Sequence, residues 1–132
     1  MGSVAPPADH DARVAAVRAR LDDITAGKPS PDELALLVKL LRAFAAKAPA
    51  ATDELISVLE NGGTGDIRER AHAFKGSAAN IGATALSALC AGVEEDAREG
   101  IRSDPATTAQ RLRDEVAQAL RAVTEVADDF HA

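Results

Sequence analysis

The sequence predicts an all-α fold in which consecutive helices run antiparallel, and three observations support this. Hydrophobic residues make up 46% of the chain but aromatic residues only 2%, so Ala, Leu, Val and Ile must form most of the core. Such an alanine-rich composition favours closely packed helices. Apolar residues recur at helical spacing, and no stretch alternates as a strand does. Short loops separate the helical segments, which favours antiparallel neighbours.

The length and net charge of the chain limit the classes of partner that it is expected to bind. The chain has 132 residues and a net charge of -6, which fits one domain and argues against a nucleic-acid or anionic-membrane surface. The single cysteine, Cys90, cannot form an internal disulfide, and no Cys and His cluster suggests a metal site. There is also no long apolar run and no signal-peptide pattern at the start. We therefore expect a cytoplasmic monomer that binds proteins or small molecules, without a metal.

The N-terminal part is predicted to contain two segments. Residues 1–8 include two prolines and little to bury, so we expect a disordered lead. Residues 9–29 form an N-terminal helix that Gly27 and Pro29 terminate. Its apolar positions keep helical spacing: Val14, Val17, Leu21 and Ile24. The sequence leaves open whether this helix packs on the rest of the domain or serves a dimer or partner contact.

Residues 30–132 form the main helical domain. Ser30 is predicted to be an N-cap, with Pro31 in the first helical position and Glu33 completing a capping box. The segment 34–48 is apolar on more than one face, so we expect it to be buried on two sides. Pro49 is predicted to end this helix. Thr52 would then cap a separate short helix, which Gly62 and Gly63 close.

Three further helices are predicted. The first begins near residues 64–66 and ends at Gly82. The second covers about 83–99, has a core stripe containing Cys90 and ends in a group of charged residues before Gly100. The third starts at Pro105 and runs almost to the C-terminus. We expect this last helix to be the longest.

The helix that contains His72 carries the chemistry. One stripe of this helix is apolar and should face the core: Ile67, Ala71, Phe74, Ala78 and Ile81. His72 lies on another face and should point to water. Gly76 follows one turn later, where glycine destabilises a helix by about 1 kcal/mol relative to alanine. A missing side chain here would let another protein reach the imidazole, and Lys75 would place a cation beside an anion on the ring. This pattern suits reversible phosphorylation.

The string AHAFKGSAANIGATALSALCAGVEEDAR resembles the signature of histidine-containing phosphotransfer (HPt) domains, which reads H-x-x-K-G-S/A. The resemblance is densest over residues 64–100 and extends more loosely over about 31–130. It implies an antiparallel up-and-down four-helix bundle, here with extra N-terminal helical elements. It also implies that His72 is the phosphoacceptor, Lys75 its charge partner and Gly76 the position that gives access.

The resemblance further implies a phosphoryl carrier in a two-component phosphorelay. His72 would accept phosphate from the receiver-domain aspartate of a hybrid histidine kinase and pass it to a response regulator. No phosphate-binding loop or nucleophile-base pattern is present, so we do not expect an enzyme. We expect no cofactor in this chain, whereas Mg²⁺ would lie in the partner receiver domain. An exposed imidazole is mostly neutral at pH 7, and in the family Nε2 is the outward nitrogen.

The face around His72 is predicted to be a docking surface, which comprises Arg68, Ser77, Ala79, Asn80 and Ala83. Plainer interpretations remain for some of these positions: Ser77 and Asn80 can bond locally, and Arg68 can be an ordinary solvated charge. Two other functions also remain open. The chain could be the phosphoacceptor domain of a chemotaxis-type kinase, or a non-phosphorylated adaptor that binds receiver domains.

Overall fold

The computed structural model describes residues 8–131. The predicted disordered lead therefore lies outside the described residues except for Ala8, which begins the first helix. These described residues form five helices: α1 (Ala8–Thr25), α2 (Pro31–Asn61), α3 (Thr64–Asn80), α4 (Thr84–Arg98) and α5 (Pro105–His131). The all-α prediction is confirmed.

Helices α2 to α5 form the four-helix bundle. α3 packs against α4, α2 against α5, α2 against α3 and α4 against α5. α3 and α4 run antiparallel, because His72 meets Glu94 while Lys75, further along α3, meets the earlier residue Ser87. One continuous core of small and aliphatic side chains fills the bundle. Its largest fully buried members include Leu37, Leu41, Leu55, Leu59, Ile67, Leu86, Leu112, Val123 and Val126.

The start of α2 follows the prediction, but its end does not. The Ser30 hydroxyl accepts a hydrogen bond from the Glu33 amide at 3.2 Å, and the Glu33 carboxylate accepts one from the Ser30 amide at 2.9 Å. Pro49, however, lies inside a single helix of 31 residues. Proline removes one backbone hydrogen bond and disfavours the helix locally. The buried stripe continues on both sides of it, and this packing keeps the helix intact.

Three further predictions about helix length and burial were wrong for related reasons. Thr52 caps no helix, because it is buried within α2 and its hydroxyl donates to the Ala48 carbonyl at 2.7 Å. Since α2 is uninterrupted, it is longer than α5, which has 27 residues. The start of α2 is also buried on one side only: Leu36 is 55% exposed and Leu40 is 40% exposed.

Helix α1 packs on the bundle, the first of the two alternatives that the sequence left open. It contacts α5 and the start of α4 and buries Val14, Val17 and Leu21. Its Arg20 side chain also donates to the Asn80 carbonyl at the end of α3, at 3.1 Å. The turn between α3 and α4 thus lies under α1. Among residues 8–131, no helix has the length and apolar character needed to cross a membrane.

Candidate functional site

His72 projects from α3 into solvent. The predicted apolar stripe of this helix is fully buried, from Ile67 through Phe74 to Ile81, and this orientation turns the opposite face outward. The His72 side chain is 67% exposed. Packing of α3 against its neighbours therefore presents the imidazole at the surface while holding its backbone rigidly.

A buried carboxylate lies beneath the imidazole. Nδ1 of His72 is 2.9 Å from Oε2 of Glu94, which lies on α4 and has a side chain only 4% exposed. Glu94 belongs to the group of charged residues predicted to end α4, and its burial beside His72 was not predicted. A signal was available: Glu94 follows Val93 directly and lies one turn after Cys90, so its wheel position borders the core stripe.

Two cationic side chains, Lys75 and Arg98, also contact Glu94. Nζ of Lys75 lies 2.6 Å from Oε1, and a guanidinium nitrogen of Arg98 lies 3.0 Å from Oε2. A buried carboxylate is tolerated when it is paired in this way. The hydrogen bond from Lys75, followed by that from His72, lowers the pKa of Glu94 below its ordinary value despite burial, which acts in the opposite direction. Glu94 is therefore ionised at neutral pH.

The ionised carboxylate determines the form of the imidazole. A carboxylate only accepts hydrogen bonds, so Nδ1 of His72 must carry the hydrogen and donate it. In neutral His72 the lone pair then lies on Nε2, the nitrogen that points away from Glu94. The site thus presents a nucleophilic nitrogen to solvent, and no base has to remove a proton from that nitrogen.

The surface next to His72 has no large side chain at positions 76 and 79. Gly76 is exposed, and a Cβ added there would meet nothing within 4 Å. Ala79 and the side chains of Ser77 and Asn80 are also exposed. Ser77 donates its hydroxyl to the Ala73 carbonyl at 3.2 Å. Ser77 and Asn80 also line a groove toward α2 of about 170 Å³, together with Leu40 and Phe74 among others.

Ala83 does not belong to this surface, contrary to the prediction. It is 7% exposed and shares a small cavity with Arg13 and Val17 of α1. Gly82 explains the difference: its φ of +82° ends α3 and turns the chain, so positions after it no longer follow the wheel of α3. A Cβ at Gly82 would also lie 2.7 Å from the Ala16 carbonyl oxygen.

The Hpt domain model matches residues 39–122, more than half of the chain. The protein belongs to the Hpt domain family. Hpt domains are phosphocarriers that take part in phosphorelays with the receiver domains of kinases and response regulators. This assignment agrees with an exposed histidine on a helical bundle.

A solved structure shares the fold. The crystal structure of histidine-containing phosphotransfer protein B (HptB) from Pseudomonas aeruginosa PAO1 has a TM-score of 0.67 and 24% identity to this chain. The match covers 86% of this chain and 91% of that one. At this identity the similarity describes the fold alone. No curated protein matches the sequence.

A second groove of this Hpt domain lies on the other side of the imidazole. It has a volume of about 330 Å³, and its lining residues are Gly65, Arg68, Glu69, His72, Glu94 and Arg98. Arg68 is therefore beside the histidine, as predicted. The groove is open to solvent and bordered by two guanidinium groups, which suit an anion.

Cys90 of this Hpt domain is not placed for chemistry. It is fully buried, and burial raises the pKa of its thiol to about 12. The reactive thiolate form is therefore scarce at neutral pH. Within residues 8–131, no group of three or more His, Cys, Asp or Glu side chains is arranged to hold a metal ion.

Proposed function

We propose that this Hpt domain carries a phosphoryl group on Nε2 of His72, accepts it from a receiver-domain aspartate of a hybrid histidine kinase and passes it to a response regulator. The observation that carries the proposal is the geometry of His72, whose Nδ1 is bound to a buried carboxylate while Nε2 faces solvent. Membership of the Hpt family supports it.

The proposed transfer needs no proton movement. A bond forms between phosphorus and Nε2 while the bond from phosphorus to the aspartate carboxylate oxygen breaks, and the aspartate leaves as a carboxylate. Nδ1 keeps its hydrogen, so the product ring is cationic. Glu94 accepts the hydrogen bond from that ring and compensates its charge. Because product and reactant are both high-energy phosphates, the same path serves transfer in either direction. We expect the partner receiver to supply Mg²⁺.

In this proposal Lys75 acts mainly through Glu94. Its ammonium lies within 2.6 Å of the carboxylate and offsets the cost of burying that charge. We assign Lys75 as a positioning residue for Glu94, and hence for the imidazole. Gly76 has a different role, which is to leave room for the receiver domain above the ring.

The proposed docking surface consists of Arg68, Gly76, Ser77, Ala79 and Asn80, which are all exposed on α3. These residues surround His72 on the rigid helix that carries it, with Arg68 on the side of α4 and with Ser77 and Asn80 on the side of α2. A receiver that contacts them would bring its aspartate to Nε2. Gly76 and Ala79 carry no large side chain on the C-terminal side of His72, which permits close approach of a partner backbone there.

Transfer from isolated receiver domains tests the proposal. Receivers are first phosphorylated with acetyl phosphate and then mixed with this chain, and acid-labile, alkali-stable label is measured. His72→Gln should abolish labelling. His10→Gln is a matched control, because His10 also contacts a carboxylate at 2.9 Å, that of Glu125, and should leave labelling unchanged.

Other outcomes would favour the competing functions. Absence of transfer from every receiver, together with labelling by a kinase and ATP, would contradict the proposal and support a domain of a chemotaxis-type kinase. Receiver binding that persists in His72→Gln, with no label on the wild-type chain, would support an adaptor.

A further inference from the structure

The imidazole of His72 leans toward the N-terminal end of α3. Side chains on an α-helix point back toward the preceding turn, which places the ring over residues 68 and 69. The groove that contains His72 has the same direction: it is lined by Gly65, Arg68 and Glu69 but not by Lys75 or Gly76. A group attached to Nε2 would therefore lie toward Arg68 and away from Lys75.

The cations around the ring differ in how they are engaged. Lys75 is in close contact with Glu94 on the side of the carboxylate that His72 does not use. Arg98 shares Oε2 of Glu94 with His72 and borders the groove. Arg68 is exposed and makes no salt bridge with any residue from 8 to 131. The guanidinium of Arg68 is thus available to a new anion.

The charges of the groove favour a phosphoryl group. Arg68 and Arg98 supply two positive charges, and Glu69 and Glu94 supply two negative ones. Lys75, outside the groove lining, compensates Glu94, so the lining together with Lys75 carries one net positive charge. Arginine also offers parallel donors that match phosphate oxygens.

We propose that Arg68, together with Arg98, binds the phosphoryl group on His72, whereas Lys75 does not. This inference rests on the proposed function, because it concerns the phosphorylated form of the same residue.

The ionisation of the bound phosphoryl group gives a direct test. Phosphoramidate, a small donor that needs no receiver domain, is used to phosphorylate the chain, and the ³¹P resonance of His72 is identified by its absence in His72→Gln. The resonance is then followed as pH is varied. A neighbouring cation favours the dianion and lowers the midpoint of this titration.

Arg68→Gln should raise the midpoint by roughly 0.3 to 0.7 pH unit, the effect of an exposed ion pair of ordinary strength. Arg68→Lys should restore part of the difference. The matched control is Arg70→Gln, which removes an exposed arginine of the same helix whose partner is Glu54 on α2, at 2.8 Å. It should change the midpoint by less than about 0.1 unit, since Arg70 lies outside the groove.

Equal midpoints in Arg68→Gln and the wild-type chain, or equal shifts in Arg68→Gln and Arg70→Gln, would overturn the inference. Either result leaves the proposed function standing, because that proposal depends on transfer from receivers. Conversely, a failure of receiver transfer leaves the titration valid, since phosphoramidate supplies the label.

Discussion

Two histidines of this protein contact a glutamate at the same distance of 2.9 Å, yet their surroundings differ. His72 uses Nδ1, its side chain is 67% exposed, and the side chain of Glu94 is 4% exposed. His10 uses Nε2, is 27% exposed, and pairs with Glu125, which is 48% exposed. At His72 the carboxylate is fixed and the imidazole is accessible. At His10, by contrast, Nε2 already contacts the carboxylate of Glu125.

The comparison shows that two histidine-carboxylate pairs of equal length can differ in which partner is fixed and which ring nitrogen is accessible. Glu94 is anchored by Lys75 and Arg98 inside the bundle, so it can orient a ring that projects into water. Glu125 is largely solvated, and exposed pairs of this kind contribute little energy. Burial of the carboxylate and the identity of the engaged nitrogen therefore distinguish the two sites.

Removing each carboxylate should separate the sites most strongly. We expect Glu94→Ala to slow transfer from a receiver by about 10- to 100-fold, by analogy with the loss of carboxylates that orient metal-bound imidazoles. Glu125→Ala should change the rate by less than about twofold. Single-turnover transfer measures the rates of both variants, and circular dichroism verifies that they are folded. Similar rates in Glu94→Ala and Glu125→Ala would show that the buried carboxylate has no special role in transfer.

The space left by Gly76 should matter only when the phosphoryl donor is as large as a receiver domain. Gly76→Gln should reduce transfer from a receiver domain by about tenfold, through a steric clash at the docking surface. Labelling by phosphoramidate should remain within about twofold, because a Gln at this exposed position leaves Nε2 reachable by a small molecule. Melting should be unchanged or slightly higher, since glycine is a poor helix former. Equal loss with both donors would show that Gly76 affects the chemistry and not access.

The contribution of ionised Glu94 to folding stability should be lost at acidic pH. Its lowered pKa means that ionised Glu94 stabilises the folded state above the ordinary glutamate pKa, and that this contribution is lost as pH falls through the lowered value. The stability advantage of the wild-type chain over Glu94→Gln should therefore shrink as pH falls below about 4.5. Urea unfolding at several pH values measures this, with Glu125→Gln as the control. A difference between wild type and Glu94→Gln that stays constant with pH would argue against the anchoring.

Much of the fold follows from local sequence signals. The capping box at Ser30 forms as predicted, and the apolar stripe of α3 correctly places His72 and Gly76 at the surface. These features depend on residues within one or two turns of each other, where spacing and backbone chemistry are sufficient.

The errors involve contacts between distant segments. Glu94 lies 22 residues from His72, and only the antiparallel pairing of α3 with α4 brings the two together. Helix α2 continues through Pro49 because other helices cover its stripe on both sides. Ala83 is buried because Gly82 redirects the chain beneath α1. Local propensity does not contain this tertiary information.

Glu94 should fix the hydrogen of His72 on Nδ1 and leave Nε2 as the nucleophile. Long-range ¹H–¹⁵N correlation NMR of the histidine rings, recorded at a pH where they are neutral, measures this tautomer directly. We predict that His72 carries its hydrogen on Nδ1 and that Glu94→Ala shifts it toward the Nε2-H form common in solvated imidazole. A wild-type His72 found mainly in the Nε2-H form would contradict the proposed role of Glu94.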